Sequence, residues 1–286
     1  MADRKSKRKK KNSKKPAYVI ACLAGFLLLF TNYFLAGEAE TPGVHQEACP
    51  GKTELPQLVT NRKEQIINHE GFTVSYNADF RIANWTAYEL TADEVKDNTF
   101  KRPNRFFPDP EVKGAMATNN DYKRSGYDKG HLVPAGDMGW SEEGMRASFY
   151  FSNICPQDGG LNNGLWKRLE KQCSRWATKY GAIDIVTGPV ITDSMGRLGK
   201  NKVGIPDKFY KVVSSTTGGK ARSIGFLVEN RNYGNTLLKE VAVTVDSIET
   251  VTGIRFFTSF PAGTQQEMKS AIDWKYWTFN KSKNVL

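Results

Sequence analysis

Histidine is scarce in this sequence: His45, His69 and His131 are the only three in 286 residues, too little material for a typical three-imidazole zinc centre. Cysteine is almost as rare, with four residues and no C-x-x-C spacing, which argues against a structural zinc site. Cys22 lies in an apolar run, and Cys49, Cys155 and Cys173 cannot all pair with one another. A Cys155 to Cys173 bridge is open, but spacing fixes no connectivity. Internal repeats are absent. The body of the chain also lacks strong charge. The formal net charge is +11, yet residues 1–16 hold nine Lys and Arg against Asp3, leaving 32 basic and 29 acidic residues beyond. Bulk charge therefore carries no argument for nucleic-acid binding, and any such claim must rest on particular residues.

The run Ala17 to Ala36 carries no charged side chain and has the length of a membrane-spanning helix. A positive flank tends to stay in the cytoplasm, so the remainder of the chain is expected to be extracytoplasmic, in a periplasm or outside the cell. The competing reading is a cleaved signal peptide, with small residues Gly37 and Ala39 near the cut, which would give a secreted protein. The uncleaved anchor is favoured because the apolar run is long. The expected organisation is a basic cytoplasmic tail (1–16), a transmembrane anchor or signal segment (17–36), a linker containing Pro and Gly (37–58), and one folded domain (59–286).

Within that domain, Phe72 to Tyr76 and Trp85 to Leu90 read as neighbouring strands. Tyr127 to Val133 reads as a short strand with a glycine inside it. Ser141 is a good cap for a helix ending near Ser152, with Glu142 and Glu143 at its positive end. Leu165, Trp166, Leu169, Cys173 and Trp176 recur at helical intervals and predict a long helix over Asn162 to Tyr180. Ile183 to Val190, Lys208 to Val213 and Ile224 to Val228 read as strands, and Asp246-Ser247-Ile248-Glu249 has the form of a capping box. Strands and helices do not alternate regularly, which predicts an α+β fold rather than a doubly wound parallel sheet.

The chemistry concentrates between Arg102 and Glu170. Tyr127-Asp128-Lys129-Gly130-His131-Leu132-Val133 is followed by Phe151-Ser152-Asn153-Ile154-Cys155-Pro156-Gln157, then Leu161-Asn162-Asn163-Gly164-Leu165-Trp166 and Leu169-Glu170. In this order and spacing the segments resemble the DNA/RNA non-specific endonuclease family, which includes secreted bacterial nucleases and mitochondrial endonuclease G and has an Asp-Arg-Gly-His motif. The likeness is strongest from about Arg124 to Glu170. Lys129 departs from it, standing where the motif usually has Arg; it keeps the charge but loses the bidentate fork. The resemblance implies a ββα-metal (His-Me finger) nuclease fold, in which an antiparallel strand pair presents His131 and the long helix presents Asn162, set around a central antiparallel sheet. It also implies Mg2+, with Mn2+ as a substitute, and products with 5′-phosphate and 3′-hydroxyl ends.

The residues make chemical sense on their own. Phosphodiester hydrolysis needs a base for water, a counter-charge for the phosphoryl oxygens and help for the departing oxygen. Neutral His131 can take the proton. In an extended segment Lys129 shares its face, and Gly130 is expected to leave room for a phosphate. Asn162 offers an amide oxygen to a magnesium ion that keeps several waters, and Glu170, two four-residue steps along the helix, is placed to hold a metal-bound water. The resemblance assigns charge stabilisation to Arg102, with Arg105 as rival, gives Asn153 a supporting role near the metal, and leaves Arg124 to the nucleic-acid backbone.

DNA and RNA are thus the expected partners, together with a membrane through the N-terminal segment; no small-molecule cofactor is called for, and a homodimer is allowed. Two rival functions stand beside the nuclease: a catalytically weak module that captures nucleic acid at the cell surface, and a phosphodiesterase acting on a nucleotide or phospholipid.

Overall fold

A computed structural model describes residues 55–279. The basic tail, the apolar run 17–36, most of the linker, Cys22, His45 and Cys49 lie outside the described residues. In chain order the elements are β1 (Gln57–Leu58), β2 (Gln65–His69), β3 (Phe72–Asn77), β4 (Ile82–Thr91), α1 (Ala92–Lys96), α2 (Asn119–Tyr122), β5 (Asp128–His131), α3 (Glu142–Ser148) and β6 (Ile154–Gln157). They continue with α4 (Lys167–Tyr180), β7 (Ala182–Pro189), β8 (Gly196–Leu198), β9 (Val203–Ile205), β10 (Lys208–Ser215), β11 (Arg222–Glu229), β12 (Ala242–Val243), α5 (Val245–Thr252), β13 (Ile254–Arg255) and α6 (Ala262–Ser270).

Seven strands form one antiparallel sheet in the order β12-β11-β10-β7-β4-β3-β2. Strand β4 lies inside the sheet, beside the central β7, and is covered on both faces, and its alternation assigns side chains to two cores. Tyr88 and Leu90 join a core with Leu165, Trp166, Leu169, Cys173 and Trp176. Trp85 and Ala87 join a second with Val245 and Ile248 of α5 and Met268 of α6. The expected mixed α+β fold around an antiparallel sheet is what the chain adopts.

On the first face, β5 and β6 pair antiparallel, with Gly130 opposite Cys155 and His131 opposite Ile154. The chain between them makes α3, and after β6 it turns into α4, which completes a strand–strand–helix unit seated on the sheet. Ser141 caps α3 by accepting from the Gly144 N–H. The helix ends at Ser148, earlier than expected, because residues 151–153 tighten into a 3₁₀ turn that feeds β6. The predicted long helix is also interrupted. Leu161–Trp166 is a π turn with a non-helical Gly164, and regular α-helix begins only at Lys167.

Two further expectations are corrected. Cys155 and Cys173 are both free and buried, each packed in the apolar core, so no bridge joins them. Asp246 lies inside the first turn of α5, whose cap position is Thr244. Glu249 instead pairs with Arg255 and Lys269 and accepts from the Phe256 N–H, which removes it from any capping box. Among the described residues no helix is long and apolar enough to cross a membrane, and the expected span 17–36 lies outside them.

Candidate active site

Strand β5 presents alternate side chains to one face, and Lys129 and His131 share it as expected: the Phe106 ring lies 5.0 Å from Lys129 Nζ and 5.4 Å from the His131 ring. Phe149 closes the other side of the imidazole edge-on at 4.8 Å. Nε2 of His131 is buried and has no hydrogen-bond partner among the described residues. Burial in this aromatic cage pushes the imidazole down to about 3, and the charge of Arg102 adds to the effect. His131 is therefore neutral across the physiological range.

Arg102 comes from the loop before β5 and stacks on Phe149 at 5.5 Å. It acts electrostatically on both His131 and Glu170. Arg105 stands instead over Phe107 at 5.1 Å, so of the two rival arginines only Arg102 acts on the imidazole, its charge disfavouring protonation. Arg124 is exposed in a left-handed turn at φ 58° and touches none of these groups.

Asn162 lies in the π turn, and its amide Nδ2 donates to Asp128 Oδ2 at 2.9 Å. Asn163 Nδ2 donates to the same oxygen at 3.0 Å. The amide group is thereby fixed with Oδ1 turned away from Asp128. Capping of this turn falls to Asp158, whose Oδ1 accepts from the N–H groups of Gly160 and Leu161, so Asn162 is not occupied as a cap. Asp128 also supplies the negative charge needed for a cation to sit near a helix start. Asn153 is used differently. Its Nδ2 donates to the carbonyls of Val133 and Ser148 and its Oδ1 accepts from the Val133 N–H, so its support passes through the backbone leaving β5.

Gly130 corrects a further expectation, since the space beside it is filled. A Cβ there would lie 2.3 Å from Gln157 Oε1 and 2.6 Å from Gln157 Cβ. The glycine admits the facing strand's side chain, not a phosphate.

Glu170 projects from α4 into a buried charged cluster that the sequence did not announce. Burial pushes its carboxyl up to about 7, with Asp137 adding to the rise and Lys211, Arg102 and Lys167 opposing it. Asp137, fixed by the Tyr88 hydroxyl at 2.7 Å, is pushed up to about 6 by burial. Lys211 on β10 is fully buried, donates to Thr187 and lies 5.0 Å from the Trp166 ring. The π turn breaks the helical phase between Asn162 and Glu170, so their four-residue spacing does not by itself put them on one side. His69, the other described histidine, bonds to Asp109 Oδ2 at 3.0 Å, an oxygen that also accepts from Ser152. That buried trio fastens the Arg102 to Phe107 loop to β2.

The described residues contain no group of three or more His, Cys, Asp and Glu side chains suited to holding a metal. What they offer is a free amide oxygen and a nearby carboxylate, hard oxygen donors that suit an ion keeping most of its own water.

Comparison with known proteins matches residues 49–263 to the family described as DNA/RNA non-specific endonuclease. Nuclease C1 of Cunninghamella echinulata var. echinulata is 32% identical over 221 residues, covering 72% of this chain and 88% of the relative. The mitochondrial nuclease 1 of Schizosaccharomyces pombe is 30% identical, covering 73% and 70%. Human mitochondrial endonuclease G is 30% identical, covering 67% and 69%. Among solved structures, one described as "Crystal structure of the EndoG/EndoGI complex: Mechanism of EndoG inhibition" aligns with a TM-score of 0.65 at 28% identity, covering 70% of this chain and 88% of that one.

The comparison overturns the expected extracytoplasmic, membrane-anchored localisation, since several of these relatives are named as mitochondrial nucleases. The physical reason is that a basic start does not define one destination: positively charged N-termini also mark mitochondrial transit segments. The match over 49–263, together with relatives that are named as nucleases, makes the chain a hydrolase that belongs to the DNA/RNA non-specific endonuclease family.

Proposed function

We propose that the protein is a magnesium-dependent nuclease that cleaves DNA and RNA with little sequence preference, using His131 as general base. The observation that carries this reading is the unpartnered, neutral imidazole of His131 held between Phe106 and Phe149 beside the Arg102 guanidinium.

In this reading the scissile phosphate sits against Arg102, whose charge offsets that developing on the phosphoryl oxygens. A phosphate anion there also offsets the guanidinium that depresses His131, so the imidazole becomes more basic when substrate binds. His131 takes a proton from water, the water oxygen bonds to phosphorus, and the bond from phosphorus to the 3′ oxygen breaks. The products are a 5′-phosphate and a 3′-hydroxyl, the departing oxygen taking its proton from water. Asn162 Oδ1 would hold magnesium, with manganese as a substitute and Glu170 holding one of its waters, and the bound ion would supply Lewis-acid stabilisation of the departing oxygen. Lys129, caged by Phe106 and Tyr122, and Arg124 contact the backbone. Contacts to phosphates carry no sequence information, which accounts for weak sequence preference.

Cleavage of plasmid DNA and of a structured RNA by the full chain, with magnesium or with EDTA, tests the reading. Both substrates are expected to be cut only with metal, and His131→Ala is expected to be folded and inactive. Substantial activity in a folded His131→Ala protein would sink the mechanism.

A further inference from the structure

Two arginines from separate elements converge on one aromatic ring outside the centre just described. The guanidinium carbon of Arg105 lies 5.1 Å from the Phe107 ring centre, and that of Arg146, from α3, lies 4.3 Å from the same centre. Both arginines are exposed. Among the described residues neither guanidinium has a hydrogen bond or an ion pair within 4.0 Å, so two exposed positive charges share this ring without a bonded anion. The acidic residues nearest in sequence to Arg146, Glu142 and Glu143 on α3, make no such pair with it. Asp109 is buried and taken up by His69, Ser152 and the Glu111 N–H. Among the described residues no carboxylate pairs with either arginine.

The platform under the pair is firmly held. Phe107 N–H donates to the Phe149 carbonyl at 3.1 Å, and Phe151 N–H donates to the Phe107 carbonyl at 3.0 Å. Phe149 is the ring that closes on His131 and carries Arg102, so stack and reaction centre share one support. Arg102 and Arg105 are three residues apart on one loop, their Cα atoms at most about 11 Å apart.

We infer that Arg105 and Arg146, stacked on Phe107, form a second phosphate-binding subsite that grips an internucleotide phosphate of the substrate strand away from the cut. A phosphodiester accepts two guanidinium forks, and the aromatic ring holds both in place, lowering the entropy lost on binding. The subsite makes the enzyme prefer long substrates to minimal ones. It rests on the nuclease reading.

The test compares wild type with an R105A/R146A variant of the full chain on a 30-base-pair duplex and on a dinucleotide, at 50 and 200 mM salt. The variant is expected to show a raised KM for the duplex, little change in kcat, and a dependence of log KM on log salt shallower by about 0.9 for each phosphate that it no longer neutralises. The dinucleotide, too short to reach the stack, should be cut as by wild type. An unchanged salt slope, or an equal loss on both substrates such as misfolding would give, overturns the subsite. A parallel arm measures duplex binding by fluorescence anisotropy in the His131→Ala background, with and without the two substitutions. A slope change there supports the subsite and no change refutes it, whatever the turnover. Failure of wild type to cut either substrate speaks against the nuclease reading alone.

Discussion

Asp128 and Asn162 meet at 2.9 Å, amide nitrogen to carboxylate oxygen. The first residue of the motif that ends in His131 thus sets the orientation of the amide on the facing turn. An asparagine amide can present either end; with Nδ2 committed to Asp128, Oδ1 is the end left for a cation.

Asp128→Asn is the direct test of that relationship. An amide at 128 can donate as well as accept, so Asn162 is no longer held in one orientation. Metal affinity and activity at low magnesium are expected to fall about 10–100-fold, the usual effect of losing an outer partner of a ligand, with recovery as magnesium rises. Activity titrated against magnesium at fixed substrate reads this out. Identical titration curves for the two proteins would remove Asp128 from the metal's support.

Gly130 is expected to tolerate no side chain for a reason unrelated to phosphate. A methyl group would collide with Gln157 at 2.3–2.9 Å, and overpacking of this kind costs about 1–3 kcal/mol. Gly130→Ala should therefore shift the urea midpoint downward. A variant of unchanged stability that had lost activity would instead return Gly130 to the substrate's side.

How far the sequence was legible follows from such cases. Strand β4 and helix α4 were readable because period-2 alternation and three- and four-residue apolar recurrence report burial directly. Strand β6 escaped because Pro156 breaks a strand pattern; it is tolerated in a two-stranded sheet opposite Lys129. Asp246 and Glu249 mimicked a capping box because four-residue spacing records nothing about Arg255 and Lys269, which claim Glu249 through tertiary contacts. In the site, the order of motifs pointed to His131 and Asn162. Lys211 and Asp137 carried no local mark, because their burial beside Glu170 depends on elements distant in the chain. Phe106 and Phe149 had the appearance of ordinary core residues; only the fold makes them the walls of the imidazole.

Lys129 tests the motif's preference for arginine. Its ammonium lies between the Phe106 and Tyr122 rings at 5.0 and 5.8 Å, an arrangement a guanidinium can occupy by stacking. Lys129→Arg is expected to preserve or raise kcat/KM on DNA, because it adds a fork without losing the charge, while Lys129→Met should lower it. A large loss in Lys129→Arg, measured on the same substrate, would show that the compact ammonium has its own fitted role.

The depressed basicity of His131 makes a prediction about stability that needs neither metal nor substrate. Folded His131 takes up a proton only near pH 3, whereas an unfolded histidine does so near pH 6.5. Between these values the unfolded chain binds the proton and the folded chain does not, so this residue's contribution to stability is intact above about pH 6.5 and is lost as pH falls toward 3. Glu170 has the opposite sign: its raised carboxyl favours the folded state at low pH, and that contribution is lost as pH rises from about 4.5 to about 7. Replacing His131 by Asn removes the first effect and leaves the second. At pH 7.5 the variant is expected to be less stable than wild type, having lost the packing between Phe106 and Phe149. By pH 5 the gap should narrow, because only the wild type is penalised for keeping its imidazole neutral. Urea unfolding of both proteins across this range decides the point, and a constant difference would mean that His131 is protonated alike in the folded and unfolded chains.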